Sequence, residues 1–389
     1  MTARRGLALL ALAGVATGCA KADLTTPTPS VTVTASASAS PSVSTSPTSA
    51  SATPSATPIP AVVPTPRPSG VGSTVAWAST GKWTHLAAAG VVTSAGRTWT
   101  VGRADGRSAL VRIGGKGGTG DVLPLPVQPA DGLAPVLVPT SSGVVVVVQP
   151  DSSSVTALTY KIKGTTLALG TTSKTTKESG QKVTWGGADV LIPGTVSHAA
   201  QVLVGGSWKT LDSADRWVTV ASTDEGKTRA QIRLSPGSSA ARFGKKDVQL
   251  DAASDTWEAI GTRDGVLLAT HGTGRNSCEL YSWKGQKMGT ADCPKKLGNL
   301  VQSTSGKVRS FGAVLMRGND LTSAPMGGDV TAVTDQAVYL DGATSTEVRW
   351  DGTTFGAAQK LGVRVVGFGP RVAVMEDDSS AVVTAPHAG

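Results

Sequence analysis

An all-β chain, closed as a β-propeller of seven or eight blades with seven favoured, is the fold predicted over residues 74–389. Three observations predict it. Apolar periodicity at helical spacing is nearly absent after residue 74. Short β-rich strands alternate instead with turns of Gly, Asp, Ser and Pro. A hairpin-sized unit also recurs along the whole segment.

The unit is a β-rich strand, a polar turn holding Asp or Gly, and a second strand, often closed by glycine. It reads "TWTVGRADGRSALVRIGG" at 98–115, "VVVVVQPDSSSVTALTYKIKG" at 144–164 and "DVLIPGTVSHAAQVLVGG" at 189–206. It returns as "WVTVASTDEGKTRAQIRLSPG" at 217–237, "VLLATHGTGRNSCELYSWKG" at 266–285, "AVYLDGATSTEVRWDG" at 337–352 and "RVAVMEDDSSAVVTAP" at 371–386. A weaker copy lies at 300–318. Units of about 40–45 residues with four strands each suit a propeller, in which every blade buries its faces against its neighbours. The region 189–237 is short for two full blades, which favours seven. "STVAWAS" at 73–79 can complete the last blade beside "AVVTAP" and close the ring. Two β-sandwich domains are the rival architecture. Trp83, Trp208, Trp283 and Trp350 flank glycine turns at equivalent places, which suggests packing between blades.

Residues 1–18 read as a signal peptide. Arg4 and Arg5 give a positive start, and Gly6 to Val15 form an apolar stretch of about ten residues. A bilayer span needs roughly 20. Residues 19–73 form a linker; its segment 24–66 holds Ser, Thr, Pro, Ala and Val without one charge. Such a composition cannot bury enough apolar surface to offset its ordering entropy, so a disordered stalk is expected, with O-glycosylation plausible. As a coil it would span about 35–40 Å.

The formal net charge is +9, or +7 without Arg4 and Arg5, and it is spread with no dense cluster. That argues against nucleic-acid binding and suits anionic wall polymers or headgroups. Cys278 and Cys293 remain for a disulfide, expected across a hairpin turning at Gly285-Gln286, where the two would face each other. Closing that loop contributes about 3 kcal/mol in the chain-entropy picture. No metal site is expected, since no histidine pair lies near these thiols.

Ala16-Thr17-Gly18-Cys19 resembles the lipobox of bacterial lipoproteins, with Ala16 where Leu is usual. The resemblance implies a diacylglycerol thioether, with palmitate-type chains, on Cys19, and an anchor on the outer side of the cell membrane. The composition is similar to that of high-GC Gram-positive, actinobacterial-type proteins. "STDEGKTR" at 222–229 resembles the Asp-box of sialidase-type propellers: Ser222, Asp224, Gly226 and Thr228 match, and Arg229 replaces the aromatic residue. That resemblance implies a structural turn, supports the propeller and says little about activity.

No catalytic constellation can be assigned. Tyr160, Tyr281 and Tyr339 show no motif with a carboxylate, and Glu376, Asp377 and Asp378 share one turn. "GKGGTG" at 115–120 matches a phosphate-loop pattern with no helix behind it, so it reads as a turn. His85, His198, His271 and His387 show no ligand spacing, although a propeller axis could gather the first three. No cofactor is expected. The reading is a lipid-anchored extracytoplasmic binding or scaffolding module at the cell envelope, with an envelope protein or cell-wall glycan as partner. A propeller hydrolase or lyase acting on envelope glycans, or a ligand-binding sensor subunit, are the alternatives.

Overall fold

The computed structural model describes residues 68–69, 71, 78–79, 83–86, 90–114, 119–164, 166–187, 189–195, 198–211, 216–222, 228–234, 240–249, 255–271, 276–293, 297–376 and 382–387. All lie in one compact unit, 62–389. The leader, Cys19, the linker up to residue 67 and residues Asp224 and Gly226 fall outside the described residues, while Ser69 and Val71 of the linker's end already contact the domain. The only helical turn among the described residues is a short 3₁₀ segment, Pro325–Gly327.

The strands build eight antiparallel sheets in chain order, numbered here 1 to 8. They span 84–124, 136–176, 184–210, 216–249, 255–292, 300–323, 330–360 and 364–386. Sheets 2 to 7 are simple meanders of four strands. In sheet 1 the first strand comes in two pieces, Thr84–His85 and Val92–Ser94, both paired with Arg97–Ala104. Sheet 8 takes its outer strand from the start of the domain. Ala78 pairs with Thr384 and Ser79 with Val383, so the expected closure by "STVAWAS" is realised.

Seven of these sheets form a closed ring. Gly367 lies against Val91 where sheet 8 meets sheet 1. The Ser94 hydroxyl caps carbonyls of Thr140 and Gly143 between sheets 1 and 2. Trp208 N donates to Ser173 Oγ, 3.0 Å away, between sheets 3 and 2. Gly186 and Gly187 of sheet 3 bridge directly to Thr262 of sheet 5. A Cβ at Gly186 would strike the Gly261 carbonyl, so only glycine permits this approach. Arg309 pairs with Asp264 between sheets 6 and 5 at 2.6 Å. Ser305 Oγ donates to Asp335 between sheets 6 and 7 at 2.6 Å, and Val365 N to Ser345 Oγ between sheets 8 and 7 at 2.9 Å.

Among the described residues sheet 4 is not a link of that ring. It stacks on sheet 5, where Ala241 and Phe243 pack with Ala259, Leu268 and Tyr281. Gly285, at a φ of 78°, turns there with no room for a side chain beside Val248. The region expected to be too short for two blades thus forms one blade of brief strands and one extra sheet. The protein is a seven-bladed β-propeller carrying an additional four-stranded sheet.

The recurring hairpin is the central pair of strands in most sheets, for example Gly143–Val148 with Ser154–Lys163. In sheet 4 it is the first pair instead, Arg216–Ser222 with Thr228–Leu234. Central strands bury both faces: all six residues of Gly143–Val148 are buried. The largest core cluster joins Trp99, Val145, Ile192, Leu267, Leu280 and Phe311 from sheets 1, 2, 3, 5 and 6. Dense apolar packing of this kind between twisted sheets fixes their mutual placement.

The disulfide between Cys278 and Cys293 is formed, spanning a sequence separation of 15. Its place in the hairpin differs from the expected one. The turn centres on Lys284, with Ser282 N bonded to Gln286 O at 2.8 Å, and a bulge follows at Leu280/Tyr281. Cys278 therefore stands opposite Ala291, while Cys293 N bonds Asn276 O at 3.1 Å. The bridge runs diagonally on one sheet face, two residues out of register, not straight across.

Candidate functional site

Val92, Val136, Leu137, Trp185, Leu300, Val333 and Val366 line an axial cavity of about 30 Å³. That holds a water or two, whereas small-molecule sites need some 300–1,000 Å³. His198 does not reach the axis: it is exposed, with Nδ1 against Glu178. The side chains of His85 and His271 lie outside the described residues.

Two wider clefts open at sheet junctions. One, of about 500 Å³, is lined by Arg97, Arg112 and Arg371 with Gly96, Gly120 and Pro370, between sheets 1 and 8. Arg97 Nη2 donates to Gly164 O at 3.1 Å, while its Nη1 is buried without a partner. Arg112 pairs with Asp121 at 3.3 Å. Of "GKGGTG", Thr119 and Gly120 start the strand Thr119–Pro124, and residues 115–118 lie outside the described residues. The other cleft, also about 500 Å³, is lined by Ser69, Asp335, Arg349, Phe368 and His387 between sheets 7 and 8. Here Ser69 is latched to the buried Glu347, which accepts its N–H at 2.7 Å and its hydroxyl.

Burial holds the His387 imidazole below its ordinary pKa, and its ring packs 4.8 Å from Phe368. The sign follows from proton uptake. Below about pH 6.5 the unfolded chain protonates this histidine before the folded chain does, so stability falls with pH. Above about pH 6.5 the contribution is fully present. Urea midpoints at about pH 7.5 and pH 5.5 are expected to differ less in His387→Gln than in the parent.

Two tyrosines do have carboxylate neighbours, which sequence reading missed. Tyr281 Oη donates to Glu279 Oε2 at 2.7 Å, and Lys287 Nζ holds the other oxygen at 2.9 Å. Tyr339 stands opposite Glu347 across the ladder. The signal for the first was present in "CELYSW", since residues two apart share a strand face. Both pairs are buried within packed layers. Burial, then the charge of Glu347, pushes the Tyr339 phenol above its usual range, and burial pushes Tyr160 up to about 12. The three tyrosines are thus shut from solvent in the core, and Tyr281 serves there as a hydrogen-bond donor to Glu279. Glu376 is bound to Arg364 at 2.9 Å, while Asp377 and Asp378 lie outside the described residues.

Exposed aspartates act as turn-formers. Asp151 accepts N–H bonds from Ser153 and Ser154 at 2.7 and 2.6 Å, which lowers its pKa to about 2. Asp351 does the same with Thr353 and Thr354 and falls still lower. For the Asp-box resemblance, Ser222 pairs with Thr228 across the ladder, and the turn between them lies outside the described residues. Among the described residues no group of three His, Cys, Asp or Glu is placed to hold a metal ion. No described helix is long and apolar enough to cross a membrane.

No family model and no curated protein matches the chain. Solved structures similar to it are found at low identity. The crystal structure of BBS1N in complex with ARL6DN has 11% identity and a TM-score of 0.39, covering 79% of this chain and 97% of that one. BamB from Moraxella catarrhalis has 12% identity and a TM-score of 0.31, covering 79% and 96%. The β-propeller domain of the Trilobed protease from Pyrococcus furiosus has 11% identity and a TM-score of 0.40, covering 79% and 96%.

Proposed function

We propose that the protein is a lipid-anchored β-propeller of the cell envelope that acts as a binding or scaffolding module for an envelope protein or a cell-wall glycan. The narrowness of the described axial cavity carries this reading. At about 30 Å³ it suits no small-molecule ligand, which leaves the outer faces and inter-blade clefts to partners. The tyrosines and the one fully described Tyr–Glu pair are core groups, which supports binding over covalent glycoside chemistry. The lipobox-like Ala16-Thr17-Gly18-Cys19 supports the anchor, and the uncharged Ser/Thr/Pro segment supports a stalk that carries the propeller clear of the bilayer.

The test is capture of full-length tagged protein from crosslinked envelope extract, with mass spectrometry and a glycan array in parallel. One enriched envelope protein supports a scaffold, and glycan binding without turnover supports a wall-binding module. Turnover of an envelope glycan by the purified chain overturns the reading in favour of the hydrolase alternative. The anchor has its own test: Cys19→Ala is expected to move the protein from the high-salt-washed membrane fraction to the soluble one. Retention of the variant after the salt wash contradicts lipidation at Cys19.

A further inference from the structure

Four-stranded antiparallel sheets place their hairpin turns at opposite ends. The first and third turns of each sheet share one end; the second turn lies at the other. Contacts between sheets keep these ends aligned around the ring. Arg97, beside a first turn, bonds Gly164 in a third turn. Ser305 and Asp335 join two first turns, and Gly352 lies against Arg317 between two third turns. At the opposite end, Ser323 Oγ bonds Asp292 O at 3.0 Å, joining two last-strand ends. The propeller therefore has two chemically distinct faces.

The face of first and third turns is cationic. Lys163, Lys245, Arg263, Lys284, Lys307 and Arg371 stand exposed on it, from sheets 2, 4, 5, 6 and 8. Among the described residues most of its carboxylates are engaged close by: Asp247 with Arg242 at 2.7 Å, Asp264 with Arg309, Asp121 with Arg112, and Asp351 with its own turn, while Asp320 is exposed beside the third turn of sheet 6. The cleft of Arg97, Arg112 and Arg371 opens beside these turns. The opposite face is more evenly balanced. Asp105, Asp151, Asp292 and Asp329 are exposed there alongside Arg107, Lys209 and Lys360, while Arg103 pairs with Asp131 and Arg364 with Asp341.

The chain also joins the propeller at the cationic face. Val71 bridges His387, whose N–H donates to Arg371 O at 3.0 Å in the first turn of sheet 8. From there the chain leads to Ala78–Ser79, which pairs along sheet 8. A tether arriving from a membrane thus reaches the side that carries the positive charge. Dispersed lysines around a broad face suit a two-dimensional charged surface better than a shaped ligand.

We propose that the face of first and third turns docks on anionic lipid headgroups, with the cleft of Arg97, Arg112 and Arg371 seating a headgroup phosphate. This rests on the envelope reading above. The guanidinium fork matches phosphate oxygens, and each surface cation adds roughly fivefold to vesicle affinity.

The test uses the full chain carrying Cys19→Ser, so that no acyl chain contributes, with vesicles of phosphatidylcholine alone or mixed with phosphatidylglycerol. Binding is expected only to the mixed vesicles and is expected to weaken with salt. Lys163→Glu/Lys284→Glu/Lys307→Glu is expected to abolish it, and Arg371→Ala to weaken it roughly fivefold. Asp105→Lys/Asp329→Lys, on the other face, is expected to leave it unchanged. Equal binding to both vesicle types, indifference to the triple variant, or binding only to a soluble phosphate-rich wall polymer overturns the proposal. Failure here together with release of Cys19→Ala from membranes removes the docking and leaves the anchor standing; the opposite pair of results removes the anchor alone.

Discussion

Trp99→Ala is expected to cost about 4 kcal/mol, the largest single-site loss in the ring, read as a urea midpoint shift or a fall in Tm of about 8 °C. The expectation follows from where the indole sits. Trp99 is fully buried on Arg97–Ala104, opposite Val92 of the inner strand and Arg112 of the next. Its Nε1 donates to Ser94 O at 3.4 Å, and the Ser94 hydroxyl reaches across to sheet 2. The ring thus fills space at the junction of the first two blades and holds the residue that links them. Alanine leaves a cavity that the surrounding strands, tied into two ladders, can collapse into only partly. Trp99→Phe retains most of the volume and is expected to lose less than half as much. An alanine variant as stable as the parent would show that the junction tolerates a void and that Trp99 is not central to it.

Removing the disulfide is the second large effect. Cys278→Ala/Cys293→Ala is expected to lower stability by about 3 kcal/mol and Tm by about 6 °C. The bridge closes a loop of 15 residues in sheet 5. That loop holds the Gly285 turn against which sheet 4 packs, and the buried Glu279 with its partners Tyr281 and Lys287. Loosening it releases both. The reduced parent should behave like the double variant. If the double variant matches the oxidised parent, the loop is held by its ladder and core alone.

Much of this architecture could be read from residues, for reasons that differ by element. Central strands such as Gly143–Val148 are buried on both faces, so their apolar runs are unmistakable, and the turns after them carry Asp or Gly for local hydrogen bonding. Outer strands such as Phe355–Lys360 are almost wholly exposed and carry no comparable pattern, so the sequence marks hairpins more clearly than whole blades. The closing strand was legible because only an N-terminal β-segment can pair with Val382–Pro386 and finish sheet 8. Sheet 4 was not. Its hairpin looks like the others, and its exclusion from the ring depends on Gly186 meeting Gly261 across 75 residues of chain. The Cys278–Cys293 pairing was legible, but its diagonal placement was not, because a one-residue bulge shifts register without leaving a signal in composition. The arginine cleft unites Arg97, Arg112 and Arg371 from opposite ends of the domain, which only ring closure brings together. In the same way the charge spread evenly along the chain sorts onto two faces once alternate turns are assigned to opposite ends.

The central claim is that the protein works through its surface at the cell envelope. Photocrosslinking in living cells tests it most directly, with a benzophenone side chain placed in turn at Lys163, Lys284, Asp105 and Asp329. The account predicts adducts that depend on the face: lipid at the first pair of positions, and a discrete protein or glycan partner at the second. The same adduct pattern at all four positions, or none at any while the purified chain turns over an envelope glycan, would contradict it.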